Sequence, residues 1–339
     1  MRSVDVNNLP FVTAIIVTRN EGKYIEKSLG SFLDQDYPSL KYEVLIIDGE
    51  STDDTVKIAN DLIEVYKKNN CDVPVCTFIN NPQKILASGW NVGIKQARGE
   101  YVVRIDAHAE AAKDFIRKSV ETMQTVDAVC VGGKLTTKAL GDSGKIISDI
   151  LSSSFGVGNS SFRVSRTACY ADTAVYGLYK KSVFEEVGYF NEILVRNQDI
   201  ELHTRIKKAG GLFYFNPEIK CTYYSRSSVK KMIRQGYQNG KWNLIIVRYN
   251  DARLSLRHLV PLFFVLFILF TTIAGLFFSL ICFFELIVIA LYFTLALIAS
   301  CKITHNPLKI VIMMALYFGL HVSYGVGSII GCFVKIKEI

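Results

Sequence analysis

A long uncharged run near the carboxyl end limits the folds open to this chain of 339 residues. Residues 259–284 read LVPLFFVLFILFTTIAGLFFSLICFF and carry no charge over 26 positions. About 20 helical residues, at roughly 1.5 Å each, cross the hydrocarbon core of a bilayer. The alternative is a buried hairpin in a soluble core, but no soluble part of the chain is large enough to bury it. The run therefore predicts a membrane segment.

Two further apolar stretches follow the first. Glu285 interrupts the apolar sequence, which then continues as LIVIALYFTLALIAS. Because a carboxylate at the bilayer centre costs on the order of 3 kcal/mol, we expect a tight turn near 280–285. A third stretch is rich in glycine, which suits close helix packing in lipid. The sequence thus predicts three transmembrane helices, over residues 259–280, 284–301 and 310–334.

Charge divides the chain into three parts. Residues 1–219 carry 26 basic and 28 acidic side chains, whereas 220–258 carry nine basic and one acidic. The net charge of +8 therefore does not indicate a nucleic-acid-binding protein. Because basic residues flank spans on the cytoplasmic side, we expect a cytoplasmic soluble domain over 1–225 and a basic interfacial segment over 226–258 that contacts membrane lipid. The membrane block would cover 259–339, in a multi-pass membrane protein.

Strand and helix patterns alternate through the first half of the chain. The segments FVTAIIVT, YEVLIID, VPVCTFI and YVVRID are typical of buried strands, and helical patterns lie between them. This alternation predicts a mainly parallel α/β sheet with helices on both faces, and ligands bind such sheets beyond the carboxyl ends of the strands. No GxGxxG follows the first strand and no P-loop pattern occurs. The Gly/Ser-rich stretch 152–166 predicts a long mobile loop that closes over a ligand, or plain surface disorder.

Three acidic positions could carry chemistry. Asp106 and His108 come just past YVVRID, where both can reach one divalent cation, Mg²⁺ or Mn²⁺. A capping aspartate beside a solvated histidine is the alternative. Asp199 begins a helical pattern, where a carboxylate could act as a general base or as an N-cap. Asp48 also follows a strand and could cap the next helix.

Five segments, in order over roughly residues 12–242, resemble the family 2 glycosyltransferases of the GT-A fold. They are TRNEGKYIEKSLGSFLDQDYP, EVLIIDGESTDDT, ASGWNVGIKQARGEYVVRIDAHAE, LVRNQDIELHTRIKKAG and YYSRSSVKKMIRQGYQNGKW. The similarity is greatest to the branch of succinoglycan-type bacterial sugar transferases. It implies a mixed, mainly parallel GT-A sheet and inverting transfer of a hexose from a nucleotide sugar, expected to be a UDP-hexose. The implied acceptor is a polyprenyl-diphosphate-linked saccharide in surface or exopolysaccharide synthesis. The implied location is the bacterial cytoplasmic membrane, with 1–225 as the catalytic domain in the cytoplasm.

The resemblance also implies roles for individual residues. Asp106 and His108 stand where this branch has its DAH metal and diphosphate site, and Asp199 stands where it has the catalytic base. The expected nucleotide-sugar contacts are Arg19, Asn20, Glu21, Asp48, Asn91 and Asp106. The last segment is similar to the Q-x-x-R-W motif of processive polysaccharide synthases and provides the expected acceptor-side residues Gln238, Lys241 and Trp242.

Three positions depart from the family pattern. Gln198 stands where the family often has glutamate, which removes a charge beside the expected base. Val17 replaces a proline common at the end of the first strand. Lys241 replaces the arginine of Q-x-x-R-W, so the charge stays but the bidentate fork is lost. Trp242 could stack on an acceptor sugar or anchor an interfacial helix at headgroup depth.

Two other functions stay open on sequence alone. A processive synthase that extrudes its polymer is one, although three spans are few for a conduit. A transporter or membrane scaffold with an inactive nucleotide-binding domain is the other. Its spans should carry paired polar residues, for which Glu285 and His321 are the only midspan candidates.

Overall fold

A computed structural model describes residues 8–69, 72–138, 141–158, 161–224, 228–250 and 254–334. The chain forms two compact units, of which the first comprises Met1–Thr136 and Ser165–Tyr224. The second comprises Thr137–Val164 and Ser225–Ile339. Residues 137–164 therefore group with the carboxyl-terminal helices.

The helices and strands follow in chain order, with short 3-10 turns at Ser39–Lys41 and Leu256–His258. They are β1 (Val12–Thr18), α1 (Ile25–Leu33), β2 (Tyr42–Asp48), α2 (Thr55–Asn69), β3 (Val75–Asn80), α3 (Leu86–Gln96), β4 (Tyr101–Asp106), β5 (Ala109–Ala111), α4 (Phe115–Thr125), β6 (Cys130–Lys138), α5 (Gly141–Ser152), α6 (Ser154–Val157), α7 (Ser161–Val164), β7 (Cys169–Ala171), β8 (Leu178–Lys180), α8 (Ser182–Val187), α9 (Gln198–Lys208), β9 (Phe213–Tyr224), α10 (Val229–Asn250), α11 (Val260–Gly275), α12 (Ser279–Cys301) and α13 (Pro307–Phe333).

The first unit is built on one mixed sheet. Within the described residues it has nine strands in the order β3-β2-β1-β4-β8-β6-β9-β5, with β7 beside β9. The strands β1 to β4 are parallel to one another, while β8 runs antiparallel to β4. The predicted α/β fold is therefore confirmed, with antiparallel strands completing one side of the sheet.

Close packing of α3 on the sheet fixes the central strands. Every residue of β1 is buried, as its run of β-branched side chains predicts. A Cβ atom on Gly93 would lie 2.7 Å from Ile15 Cγ2, and one on Gly89 would lie 2.6 Å from Val17 Cγ1. These two glycines let the helix backbone approach β1 more closely than any side chain would allow.

The second unit joins α5 to α7 with the carboxyl-terminal helices. Ile147 and Ile150 of α5 share an apolar cluster with Tyr317 of α13. The ring of Phe155 packs edge-on against Tyr317, with centroids 5.0 Å apart. The prediction of a long loop over 152–166 is wrong for the described residues, because α6 and α7 form there and Phe155 joins the cluster.

In the part of the chain that the structure describes, three helices are long and apolar enough to span a membrane, and they cover Leu256–Gly275, Ser279–Cys301 and Pro307–Phe333. Only 6 % of the apolar window in each of the first two is buried within the protein, which excludes a buried soluble hairpin. The turn between them lies at 276–278, so the predicted turn at 280–285 was wrong. Glu285 lies inside α12 instead, where it accepts a hydrogen bond from Thr272 Oγ1 at 2.7 Å. This partner reduces the cost of a carboxyl group in that helix.

Helix α10 packs along α13 through glycine contacts. A Cβ atom on Gly240 would lie 2.0 Å from Tyr324 O, and one on Gly327 would lie 2.0 Å from Tyr237 O. Small residues four apart on both helices, as in Gly236 and Gly240 on α10, let the two backbones approach. The helix that bears the expected acceptor-side residues is therefore held against a predicted span.

Candidate active site

The carboxyl ends of three parallel strands bring the predicted site segments together. In the sheet register Thr18 pairs with Asp48, and Val17 pairs with Asp106. The loops that begin at Arg19, Asp48 and Asp106 therefore leave the sheet at one edge. This is the edge at which open α/β sheets bind ligands.

The loops after β1 and β2 are fixed to each other by side-chain hydrogen bonds. Asn20 N donates to Ser51 Oγ at 2.9 Å, and Asn20 Oδ1 accepts from Thr52 N at 2.8 Å. Asp48 accepts from Ser51 N at 2.9 Å and from Ser51 Oγ at 2.6 Å. Asp48 thus shapes the loop that follows β2, and α2 begins later, at Thr55. Asp48 therefore does not cap α2, which was one interpretation of its position in the sequence.

Arg19 lies at the exposed side of the same edge. Its Nη1 donates to Lys84 O at 3.4 Å, and Lys84 Nζ forms an ion pair with Glu50. The pair is solvent-exposed, so it contributes little to stability. It does position two further charged groups beside the predicted nucleotide contacts.

Asp106 and His108 lie next to Glu21 and a group of tyrosines. His108 Nδ1 is 3.5 Å from Glu21 Oε1, and the Tyr223 ring contacts the imidazole with centroids 5.1 Å apart. Tyr176 OH donates to Asp106 Oδ2 at 2.9 Å. Burial raises the pKa of Tyr176 well above its usual value, so the phenol keeps the proton that it donates. The structure therefore brings a carboxylate and an imidazole to one edge and fixes the carboxylate.

Asp199 lies in the first turn of α9 and forms an ion pair with a buried arginine. Arg104 Nη2 is 2.9 Å from Asp199 Oδ1, and the Arg104 side chain is only 4 % exposed. The guanidinium lies over the Trp90 ring, 4.0 Å from its centroid. Burial alone would lower the pKa of Arg104, but the Asp199 carboxylate raises it above its usual value. A charged guanidinium therefore holds the predicted base.

A second buried polar group supports α9 one turn further on. His203 Nδ1 is 2.7 Å from Thr173 Oγ1, and His203 Nε2 is 2.8 Å from Tyr179 OH. Burial lowers the pKa of His203 to about 3, so the imidazole is neutral at pH 7. A neutral imidazole has one donor and one acceptor nitrogen, which these two hydroxyl groups can match.

Asn91 uses its side chain to hold the segment that leads to α9. Its Nδ2 donates to Phe190 O at 2.8 Å and to Glu192 Oε1 at 2.7 Å. Its Oδ1 accepts from Phe190 N at 2.9 Å. The predicted contact of Asn91 with a nucleotide sugar stays a prediction.

Backbone strain in the described residues collects around these groups. The non-glycine residues with positive φ there are Asn20, Glu50, Lys84, Tyr176 and Asn197. Asn20 follows β1 and Glu50 follows β2. Lys84 forms the ion pair with Glu50, and Tyr176 donates to Asp106. Asn197 directly precedes α9. Such conformations concentrate at active sites and ligand clamps.

The comparisons with known proteins identify the family of this chain. The family model described as Glycosyl transferase family 2 matches residues 13–188. The chain belongs to this family. It is 32% identical over 325 residues to the dolichyl N-acetyl-alpha-D-glucosaminyl phosphate 3-beta-D-2,3-diacetamido-2,3-dideoxy-beta-D-glucuronosyltransferase of Methanococcus voltae, covering 93% of this chain and 95% of that protein. It is 27% identical over 250 residues to the succinoglycan biosynthesis protein ExoA of Rhizobium meliloti, covering 73% of each.

A solved structure shares the fold of this glycosyltransferase. The mannosyltransferase PcManGT from Pyrobaculum calidifontis, determined in complex with GDP-Man and Mn²⁺, matches with a TM-score of 0.53 at 18% identity. The match covers 96% of this chain and 85% of that one. The GT-A fold expected from the sequence is confirmed. The chain is a family 2 glycosyltransferase whose three apolar helices fit a membrane anchor.

The expected acceptor-side residues of the glycosyltransferase lie in the second unit. Gln238, Lys241 and Trp242 are all on α10, and each is partly exposed. Their role at an acceptor stays a prediction, as do the nucleotide and metal assignments in the first unit.

The sequence analysis did not predict the buried residues that contact the site residues or pack beneath α9. Arg104, Tyr176, Tyr179 and His203 were not among the predicted site residues. A signal existed for Arg104, because a single charge inside the strand YVVRID must find a partner when the strand is buried. The other three are ordinary core residue types, and only the tertiary structure reveals their partners.

Proposed function

We propose that this protein is an inverting glycosyltransferase that moves a hexose from a nucleotide sugar to a lipid-linked saccharide. The observation that carries the proposal is the common location of Asp48, Asp106 and His108 at one sheet edge in the same unit as Asp199. A nucleotide sugar needs contacts for its nucleoside, its diphosphate and its reacting carbon. Asp48 is the candidate for the nucleoside, Asp106 and His108 are the candidates for the diphosphate, and Asp199 is the candidate for the reacting carbon.

The donor would lie across the carboxyl edge of the sheet. Arg19, Asn20, Glu21 and Asp48 line the side of the edge proposed for the nucleoside, and Asn91 fixes a neighbouring segment. We propose a UDP-hexose as the donor. A nucleotide sugar in general is supported by PcManGT, which shares the fold and was determined in complex with GDP-Man.

The residues at the end of β4 fit a divalent cation whose remaining ligands would come from the substrate. A carboxylate and an imidazole, from Asp106 and His108, are ligands that Mn²⁺ or Mg²⁺ accepts. Within the described residues no group of three or more histidine, cysteine, aspartate or glutamate side chains could hold a metal ion. A site with two protein ligands and diphosphate oxygens agrees with that finding. When bound, the cation would offset negative charge on the leaving diphosphate.

Asp199 would act as the general base. Its carboxylate takes the proton of an acceptor hydroxyl as that oxygen bonds to the anomeric carbon. The bond from this carbon to the diphosphate oxygen breaks with its electron pair, so the nucleoside diphosphate leaves as an anion. Attack opposite the leaving group inverts the configuration.

The acceptor is proposed to be a polyprenyl-linked saccharide at the cytoplasmic face of the membrane. Three apolar helices follow the catalytic unit, and nine basic residues precede them in 220–258. Basic residues near an anionic surface contribute about 1 kcal/mol each toward lipid binding. The relative from Methanococcus voltae has a dolichyl-linked sugar phosphate in its name, which agrees with a lipid-linked acceptor.

The test is a donor screen followed by one substitution. Purified full-length protein is incubated with MnCl₂, a panel of UDP- and GDP-sugars and a polyprenyl-diphosphate-linked saccharide, and released nucleotide is measured. Asp199→Asn should lower transfer by about 10²–10⁴-fold, the usual contribution of a general base. Its affinity for UDP should stay at the wild-type value. Asp172→Asn, a substitution of an exposed carboxylate paired with Lys207, is the control and should leave transfer unchanged.

Two results would contradict the proposal. If Asp199→Asn transfers sugar at the wild-type rate, Asp199 is not the base. If no nucleotide is released from any donor, the catalytic function itself is wrong and the scaffold function is favoured. Product length separates single addition from processive synthesis, because single addition extends each acceptor by one sugar.

A further inference from the structure

Arg104 is a buried charge that the proposed chemistry does not itself need. It lies in the middle of β4, with its side chain 4 % exposed, and its described ion-pair partner is Asp199. The Trp90 and Phe190 rings lie 4.0 and 5.1 Å from the guanidinium carbon. Its Nε is buried and has no hydrogen-bond partner in the described part of the chain. The Asp199 carboxylate therefore provides the main charge balance for this arginine.

The strand links Arg104 to the diphosphate end of the site. Side chains two apart on a strand lie on the same face, so Arg104 and Asp106 share one face of β4. The distance between their Cα atoms is fixed by the strand at about 6.6 Å. Because Arg104 holds Asp199 and β4 ends at Asp106, one rigid strand sets the position of the base relative to the proposed cation ligands.

A purely structural role explains this arrangement poorly. Replacing a buried ion pair by well-packed apolar side chains is often neutral or stabilising, so such a pair is weak evidence for stability. The aromatic rings of Trp90 and Phe190 already form an apolar pocket around the guanidinium. The two partners also differ in solvent exposure, because the Asp199 side chain is 34 % exposed whereas Arg104 is buried. A buried, fixed arginine beside an accessible carboxylate is the arrangement expected if Arg104 holds Asp199 in place for a reaction at the surface of the site.

We propose that Arg104 is a positioning residue of the transfer reaction, which holds the Asp199 carboxylate at a fixed distance from the Asp106 end of β4. The proposal rests on the proposed function of Asp199 as the base. Arg104 itself contacts neither substrate nor reacting atoms. Its loss lets the carboxylate move, and a misplacement of about 1 Å can cost about 100-fold in rate.

The test is a double-mutant cycle on the full-length protein. Arg104→Met removes the charge and keeps an unbranched side chain, and it is combined with Asp199→Asn. Turnover is measured as nucleotide release with the donor that gives the highest wild-type rate in the panel above, and binding is measured by titration with UDP and MnCl₂. Arg104→Met should lower kcat about 100-fold in the wild-type background, with the KM for the donor and the UDP affinity unchanged. In the Asp199→Asn background it should lower kcat no further.

Two further variants keep the test interpretable. Arg104→Lys retains the positive charge, so it should fold even if Arg104→Met does not. Because lysine lacks the rigid fork of arginine, its kcat should lie between those of the wild type and Arg104→Met. Arg205→Met is the matched control, because Arg205 pairs with Glu201 on the same helix and donates hydrogen bonds to the backbone carbonyls of 187–189. It should lower the thermal midpoint and leave kcat unchanged.

Each alternative outcome overturns the proposal. If Arg104→Met lowers kcat by the same factor with and without Asp199, Arg104 does not act through the base. If both Arg104 variants keep the wild-type kcat, or lose UDP affinity instead, the side chain does not position the carboxylate. Failure of the proposed function would be recognised by a different result, because Asp199→Asn alone would then transfer sugar at the wild-type rate.

Discussion

Replacing Gly327 by alanine should separate α10 from α13 and reduce transfer without affecting nucleotide binding. The added Cβ would lie 2.0 Å from Tyr237 O, 2.8 Å from its carbonyl carbon and 3.0 Å from its Cα. All three are backbone atoms, so no side-chain rotation relieves the clash. Restoring a contact of about 3.5 Å requires the helices to move apart by about 1.5 Å.

The balance of two effects gives the expected magnitude. Alanine is favoured over glycine in a helix interior by about 1 kcal/mol. Overpacking against fixed atoms costs up to about 3 kcal/mol, so the net loss is about 2 kcal/mol. For a unit of this size that loss lowers the thermal midpoint by about 4–8 °C. Gly319→Ala on the same helix is the control, because its Cβ would meet only the flexible end of Ile233 at 3.0 Å.

The assay compares both variants in detergent by thermal unfolding, UDP titration and transfer to the lipid-linked acceptor. Gly327→Ala should lose stability and transfer but bind UDP like the wild type, since the expected acceptor-side residues lie on α10. Gly319→Ala should be as stable as the wild type or slightly more stable. Equal midpoints and equal transfer rates for the two variants would refute the reasoning from close helix approach.

Two further predictions concern the catalytic unit. The pKa of His203 is about 3 in the folded protein and about 6.5 when unfolded, so the unfolded state binds more protons between these values and stability falls as the pH falls through that range. Lowering the pH from 6.5 to 5.5 should therefore destabilise the wild type by about 1 kcal/mol more than His203→Asn, measured by denaturant titration, and equal slopes would disprove the assignment. Asn91→Ala leaves the Phe190 N–H and carbonyl without their buried partner, which should cost about 1–3 kcal/mol and lower the thermal midpoint. An unchanged midpoint would show that this contact does not hold the segment.

The sequence predicted the residues at the sheet edge of the proposed site better than the buried residues that contact them. The segment YVVRID predicted a buried strand, and β4 covers the same six residues. The alternation of strands with helices and the residues after each strand are local features, so the meeting of Asp48 and Asp106 at one edge could be anticipated. The ion pair between Arg104 and Asp199 joins residues 95 positions apart. No periodicity specifies which partner a buried charge finds at that separation.

The two wrong predictions have a common physical cause. Glu285 indicated a turn because a carboxylate is costly in a span, yet Thr272 Oγ1 gives it a partner inside α12. The stretch 152–166 indicated a loop because it is rich in glycine and serine, yet Phe155 packs on Tyr317 and Ser153 Oγ lies 2.8 Å from the Tyr317 hydroxyl. In both cases a contact distant in sequence stabilises a residue type that is locally unfavourable.

Backbone strain is the part of the site that residue types could not reveal. Asparagine adopts positive φ more readily than most residues, so Asn20 and Asn197 are compatible with such turns. Glu50, Lys84 and Tyr176 are not residue types that favour it, and each such conformation costs about 1–3 kcal/mol. It persists only where surrounding contacts over-determine it, as the ion pair of Glu50 with Lys84 and the hydrogen bond of Tyr176 to Asp106 do here. Relaxing this strain would require moving the groups proposed to bind the donor, so the strain and the proposed site depend on the same contacts.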